Sequence, residues 1–226
     1  AFALAFNYDQ LIAAFAAGRG LRTGEVSSGN TFWAAREADM PQYDVAQAKA
    51  LLEQAGQSGL KTENWVSPQY SGTTLAPIVQ GLLKQALDID VAVKTLENAQ
   101  WISEVYRAQK PYPLSSHGDW SFDDPDRTLR EYYHSEGSAQ HQNLNDAELD
   151  SMLDKQRQEL DVTKRQELVR DIQKYLMDKA YTVPWFSLGF ITAVPEYLNY
   201  PDIRGGNVNS YRTRDIISAT GGPRAG

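Results

Sequence analysis

The chain has no cysteine among its 226 residues. That excludes a disulfide framework and any thiolate metal site. Histidine is scarce too, with three residues at His117, His134 and His141. No apolar run approaches the roughly 20 residues that a membrane-spanning helix needs. Positive charge is in deficit: 22 Lys and Arg against 29 Asp and Glu give a formal net charge of −7. This balance argues against a nucleic-acid surface. The phosphate-binding patterns GxGxxG and GxxxxGK[ST] and the nucleophile pattern GxSxG are all missing. Gly18-Arg19-Gly20 closes a helix and does not follow a strand, so it reads as a loop.

What is present suits a soluble globular chain, with 42% hydrophobic and 23% charged residues. The length allows a real core in one large domain or two small ones. The opening AFALAF is apolar, but it lacks a basic start and is interrupted by Asn7, Tyr8, Asp9 and Gln10. It reads as an amphipathic helix over 2–17, not a signal peptide. There is no initiator Met, and the chain is expected to be a fragment or a processed product.

A polar, Gly-rich loop follows to about Gln42. Asp44 then begins a helix, with Gln47 three residues on as in a capping box. Ala48, Leu51, Leu52 and Ala55 mark its core face and Gly56 its left-handed cap. A strand is predicted over Leu60–Val66. A helix follows on the face of Leu75, Ile78, Val79, Leu82, Leu83 and Ala86, with Pro77 near its first turn. Ile89, Val91 and Val93 alternate as a second strand. Strand, helix, strand at this spacing is a βαβ unit with a parallel pair. Trp101, Ile102 and Val105 mark a short helix, and Tyr112–Ser116 a further strand.

The most informative stretch is Glu148 to Phe186. Leu149, Met152, Leu153 and Leu160 recur on one helical face, and Leu168, Val169, Ile172 and Leu176 on the next. Asp161 joins the two helices with the chemistry of an N-cap. The apolar YTVPWF that follows is predicted as a strand. Beyond Val194 the chain becomes loop-like, and the final GGPRAG reads as a disordered tail.

This order of parts resembles the family 5 extracellular solute-binding proteins, the dipeptide-, oligopeptide- and nickel-binding receptors of ABC importers. YDVAQAKALLEQAG at Tyr43–Gly56 is similar to the family's tyrosine–aspartate helix start. The helix pair with Asp161, Lys164, Arg165 and then Pro184 is similar to its closing signature. The resemblance implies an α/β fold, a mixed sheet with flanking helices, forming one lobe of a two-lobe, type II-like periplasmic-binding-protein architecture. Residues 1–194 would be the ligand-binding C-terminal lobe. Residues 195–226 would cross back towards an N-terminal lobe that the chain lacks. The implied partners are a peptide or other small polar solute, ABC permease subunits and that other lobe. The implied location is periplasmic or otherwise extracytoplasmic, membrane-associated through the transporter. No catalytic residue, metal or cofactor is implied.

HGDWSFDDPDR, His117–Arg127, is the candidate site, because α/β proteins gather ligands beyond the carboxyl ends of their strands. Family receptors place an aspartate three residues after a tryptophan, and in peptide binders it holds the ligand's α-amino group. Trp120 and Asp123 keep that spacing, so the resemblance makes Asp123 the amine anchor. The family puts two residues before its aspartate–proline pair, whereas Asp123, Asp124 and Pro125 are contiguous, and Asp119 stays open as an alternative. An ammonium held by a carboxylate in a closed cleft makes a charge-assisted hydrogen bond. A Trp wall adds about 0.5–2 kcal/mol. Asp124 and Asp126 read as caps of the next helix. Trp101, Tyr112 and Trp33 are cleft candidates that also suit core packing. Arg127 suits a ligand carboxylate, or an ion pair with Asp123 or Glu131.

Two other readings compete. Asp119, Asp123, Asp124 and Asp126 supply enough acids for a carboxylate-dependent hydrolase. His117, Asp119 and Asp123, with His134 or His141, offer ligands to a metal chelate. A lone lobe would also expose apolar surface through which it could associate.

Overall fold

The predicted N-terminal helix is broken in two. Phe2–Ala5 forms a 3-10 turn, Phe6 is extended, and α1 spans Tyr8–Ala16. Asn7 caps α1 by accepting the Gln10 N–H at 3.0 Å. A side-chain oxygen at that position satisfies a donor the helix leaves unpaired, so the polar interruption is itself the break. The extended Phe6 buries its ring 5.0 Å from that of Trp185. A computed structural model describes residues 1–26, 31–107, 112–118, 124–139, 144–187, 198–199 and 217–218.

The βαβ unit forms as the sequence predicts. α2, Val45–Gln54, starts where Asp44 accepts the Gln47 N–H at 2.9 Å. Gly56 follows it with φ of 65°. The buried face of α2 is Ala48 and Leu52, while Leu51 and Ala55 are exposed. β1, Lys61–Val66, and β2, Asp90–Thr95, pair in parallel, from Lys61 opposite Asp90 to Val66 opposite Thr95. Parallel strands need a long crossover. α3, Gly72–Leu87, supplies it and buries Ala76, Val79, Leu83 and Leu87.

α3 begins earlier than its apolar pattern suggests. Gly72 packs so tightly under β1 that a Cβ there would lie 2.7 Å from Val66 Cβ. Pro77 is therefore the helix's sixth residue, beyond the first turn. Its missing N–H removes one bond of the helical ladder.

Two predicted strands do not form. The Trp65 N–H donates to the Leu114 carbonyl at 2.9 Å, so Tyr112–Ser116 does lie beside β1. The ladder stops because side chains take its next groups. The Asn64 carboxamide accepts the Ser116 N–H at 2.9 Å, and Ser115 Oγ donates to the Trp65 carbonyl at 2.7 Å. Tyr181–Phe186 is not paired as a strand; the pairing comes at Ser187, in an isolated antiparallel bridge with Leu21. Its side chains pack instead, Val183, Trp185 and Phe186 covering the core built by α1, α2, α3 and the two strands.

α4, Asn98–Trp101, runs on as a π-helical turn over Ile102–Tyr106. α5, Pro125–Tyr133, α6, Ala147–Gln158, and α7, Val162–Asp178, share a second core. Leu129, Leu149, Leu153, Val169, Ile172 and Leu176 are fully buried there. Each contributes about 1.5–3 kcal/mol of transfer free energy. The predicted face of α6 fails at its end. The helix stops at Gln158, and Leu160 is left 93% exposed in the connection to α7. In the 195–226 region, β3, Leu198–Asn199, pairs antiparallel with β4, Ile217–Ser218. Among the described residues no helix is long and apolar enough to cross a membrane.

Candidate functional site

The acidic run starts at the carboxyl end of the parallel pair. The chain leaving β2 is fixed there by the Leu96 N–H, which donates to the Val66 carbonyl at 2.9 Å. Trp101, at the end of α4, is fully buried against Leu96 and Val105. Its indole N–H reaches the Trp65 carbonyl at 3.3 Å. His117 packs edge-on against the Trp101 ring at 5.0 Å, and its Nδ1 lies 3.1 Å from Ser115 Oγ. The segment beside β1 thus delivers residue 118 to the strand end where ligands gather in α/β folds.

The described chain resumes at Asp124. Its carboxylate caps α5 by accepting the Asp126 N–H at 2.8 Å. It also takes both terminal nitrogens of Arg165, at 2.7 and 3.0 Å. Such bidentate pairs are the strong, geometrically specific form of ion pair. The Arg165 guanidinium holds the Asp124 carboxyl below the usual carboxylate range against the opposing effect of burial. Asp126 does not cap the helix. It accepts from Gln156 Nε2 at 2.6 Å and lies 3.7 Å from Arg157 Nε.

The predicted site residues separate into three groups. Trp120, Asp123 and Asp119 lie outside the described residues, as does His141. Trp101 and Tyr112 come together in one cluster, Trp101 wholly inside it and Tyr112 half-buried on its flank. Trp33 and Arg127 stand apart from that cluster. Trp33 is buried in the helical core, edge-on to Phe32 at 4.9 Å, with the Arg165 guanidinium 5.4 Å from its ring. Arg127 is exposed and pairs with Glu131 one turn along α5, at 3.4 Å.

Arg165 and Gln156 are the residues that sequence reasoning did not place near the acidic run. One signal was available. Gln156 falls on the apolar face of α6 behind Leu149 and Leu153, and it is fully buried. A polar residue in an apolar stripe must find partners inside. Gln173 does the same on α7, accepting the Val26 N–H at 3.1 Å and donating to the Trp33 carbonyl at 2.8 Å.

The described part of the site has the chemistry of fixed charges. A general acid needs a raised pKa, whereas Asp124 is pushed down. No group of three or more His, Asp and Glu among the described residues is arranged to hold a metal ion. His134, the residue after the C-terminal end of α5, is buried 3.8 Å from Asp150 and 3.6 Å from Asp154.

The sequence matches the bacterial extracellular solute-binding proteins, family 5, middle region, over residues 1–140. No match was found among curated proteins. Solved structures show the same fold at low identity. DppA from Helicobacter pylori, in complex with the peptide STSA, is 22% identical with a TM-score of 0.66, over 82% of this chain and 37% of that one. AgaA from A. tumefaciens R10, in complex with agropinic acid, is 20% identical with a TM-score of 0.66, over 83% and 39%. A nickel ABC transporter protein from Bacillus halodurans is 18% identical with a TM-score of 0.63, over 83% and 41%. The chain therefore spans about two fifths of the length of these proteins.

Proposed function

Because this chain belongs to family 5 of the bacterial extracellular solute-binding proteins, we propose that it is the ligand-binding C-terminal lobe of an ABC importer's solute receptor. The family match over residues 1–140 carries this reading. The acidic run beyond the strand ends supports it. Residues 1–194 form the lobe, and 195–226 lead back towards an N-terminal lobe that supplies the opposite wall of the cleft. A peptide or another small polar solute docks between the lobes, hinge closure buries it, and the permease subunits recognise the closed form. No bond is broken, so the receptor is not an enzyme. It works on the extracytoplasmic side of the membrane, in the periplasm where there is one.

Asp123 is the proposed anchor for a solute amine, with Asp119 as the alternative and Trp120 as the aromatic wall. Trp101 and Tyr112 support the same edge from behind. The named neighbours carry a peptide, agropinic acid and nickel transport, which sets the panel to try. Titration calorimetry of the complete two-lobed receptor with trialanine, agropinic acid and Ni²⁺ should find saturable binding of one of them. Asp123→Ala should weaken an amine-bearing solute by about tenfold or more. Unchanged affinity removes Asp123 from the site, and micromolar binding by this chain alone overturns the two-lobe mechanism.

A further inference from the structure

We propose that the outer edge of β2 is a self-pairing surface, where two copies of this chain join antiparallel, in one register, into a continuous four-stranded sheet. The Asp90 N–H donates to the Leu60 carbonyl at 3.1 Å and the Leu96 N–H to the Val66 carbonyl at 2.9 Å. The even-numbered residues of β2 thus turn their backbone groups to β1. These groups alternate along a strand, so Val91, Val93 and Thr95 turn theirs outwards. Among the described residues no backbone group pairs with these three. On its other side β1 meets Leu114, through the Trp65 N–H, which leaves β2 as the open edge. Unpaired N–H and C=O groups along an edge are a template for another strand.

Charge selects the second copy as the occupant. β2 reads DVAVKT, with Asp90 and Lys94 as its ionic residues. An antiparallel copy centred on Ala92 sets Asp90 opposite Lys94 twice, once on each side of the two-fold axis. It also sets Val91 opposite Val93, and these outward-facing residues then exchange backbone hydrogen bonds. A parallel copy in register would set Asp90 beside Asp90 and Lys94 beside Lys94, which is destabilising. Sliding the antiparallel copy by one step of the pleat in one direction loses both ionic pairs. In the other direction it runs into Asp88, whose φ of 53° ends the extended run. Asp90 meets Lys84 at 2.9 Å yet keeps its side chain 55% exposed, and Lys94 is exposed above the Trp65 ring. Both remain within reach of a neighbour.

There is room beside the edge. A cavity of about 430 Å³ lies between α3 and the start of β2, lined in part by Gln80, Lys84, Ile89 and Val91. Side chains directly opposite share a face, so the half-exposed Val93 of the second copy enters this space. Gln80 guards it. Its Nε2 donates to the Val91 carbonyl at 2.6 Å, and Val91 is buried beneath it. Gln80 itself is exposed and must swing aside for the strand to pair. A contact of one strand per copy, opposed by this guard, belongs with the small, weak interfaces. None of this depends on the solute.

The test uses this chain. Sedimentation equilibrium at concentrations up to about 1 mM should show a reversible monomer–dimer equilibrium. Gln80→Ala frees the Val91 carbonyl and should tighten the dimer about fivefold. Asp90→Lys and Lys94→Asp should each weaken it about tenfold. The double variant should recover the affinity, because the exchanged charges again stand opposite. The absence of cysteine allows a second test. Ala92→Cys places a single thiol on the two-fold axis, where antiparallel Cα atoms lie about 4.5 Å apart, within reach of a disulfide. Mild oxidation should link it into a covalent dimer much faster than Ala55→Cys, at the exposed end of α2. Circular dichroism melting checks that each variant is folded. A chain that stays monomeric, with the two cysteine variants linking equally slowly, overturns the proposal. So does a dimer that Gln80→Ala and the charge reversals leave unchanged, since it then forms through another face.

Discussion

The indole N–H of Trp101 and the hydroxyl of Ser115 converge on one main-chain oxygen, the carbonyl of Trp65, at 3.3 and 2.7 Å. A carbonyl has two lone pairs, and here side chains fill both at the edge of β1. The edge is closed without a full third strand. The helix after β2 is thereby tied to the segment that leads into the acidic run.

Trp101→Ala should accordingly cost about 3–5 kcal/mol, the usual cost of truncating a buried large aromatic. Trp101→Phe retains a ring and loses the donor, which adds about 1 kcal/mol to its packing cost. Urea unfolding of the chain measures both. A loss under about 0.5 kcal/mol for the alanine variant, the level of a surface change, would contradict the burial described.

The cap of α7 offers a cleaner local test. Asp161 is exposed and accepts the Thr163 and Lys164 N–H groups, each at 3.0 Å. Asp161→Ala should destabilise by about 1 kcal/mol, and Asp161→Asn far less. Equal losses in the two variants would show that charge matters here and the hydrogen bonds do not.

Acid should loosen the Asp124 contact in a defined direction. Arg165 holds this carboxyl below the ordinary range in the folded chain. The unfolded chain, with a pKa of about 3.9, therefore takes up the proton first as pH falls. The stabilisation is fully present above about pH 4 and disappears as pH drops through the lower, folded value. The side chain is 59% exposed, so the effect is limited to about 1 kcal/mol. Melting midpoints between pH 7 and pH 3 should show a steeper acid limb for the unaltered chain than for Asp124→Asn. Parallel limbs would remove the ion pair from the acid response.

Leu153 and Leu160 lie seven residues apart on the same apolar pattern but have opposite fates. Leu153 is fully buried and Leu160 is 93% exposed. Leu153→Ala should cost about 2–5 kcal/mol, while Leu160→Ser should stay within about 0.5 kcal/mol. Chemical denaturation of the two variants checks the contrast, and a large loss from Leu160→Ser would restore the longer helix that the periodicity suggests.

The legible parts of the fold were those decided locally. Asp44 and Asp161 announce their helices because capping involves residues two or three positions on, and both carboxylates accept as expected, although the Asp44 N–H donates to the Leu4 carbonyl at 2.9 Å and not back to Gln47 as a capping box would have it. The parallel βαβ unit was readable from alternation and spacing. Leu160 was misread because periodicity does not reveal where a helix stops. Tyr112–Ser116 was misread because alternation cannot show that Asn64 and Ser115 would take the ladder's groups. In the candidate site, both Asp124 and Asp126 read as caps of α5; Asp124 makes the cap, and Asp126 turns to Gln156. The pairing of Asp124 with Arg165, 41 residues away, was not visible, since nothing in either neighbourhood names the other. The burial of Trp33 likewise depends on α7, which lies more than a hundred residues further on.

The ring pair of Phe6 and Trp185 joins the two ends of the first core. During synthesis, α1, α2, α3 and both strands leave the ribosome long before the side chains that cover them. Their core stays unfinished through some hundred further residues, whereas α6 and α7 meet as near neighbours in sequence. Contacts between distant residues form slowly because a long loop must close first. Partly covered apolar surface is what draws aggregation and chaperones to a growing chain. The first core is thus the part that waits longest for its closing contacts, and the residues that end the wait are Val183, Trp185 and Phe186.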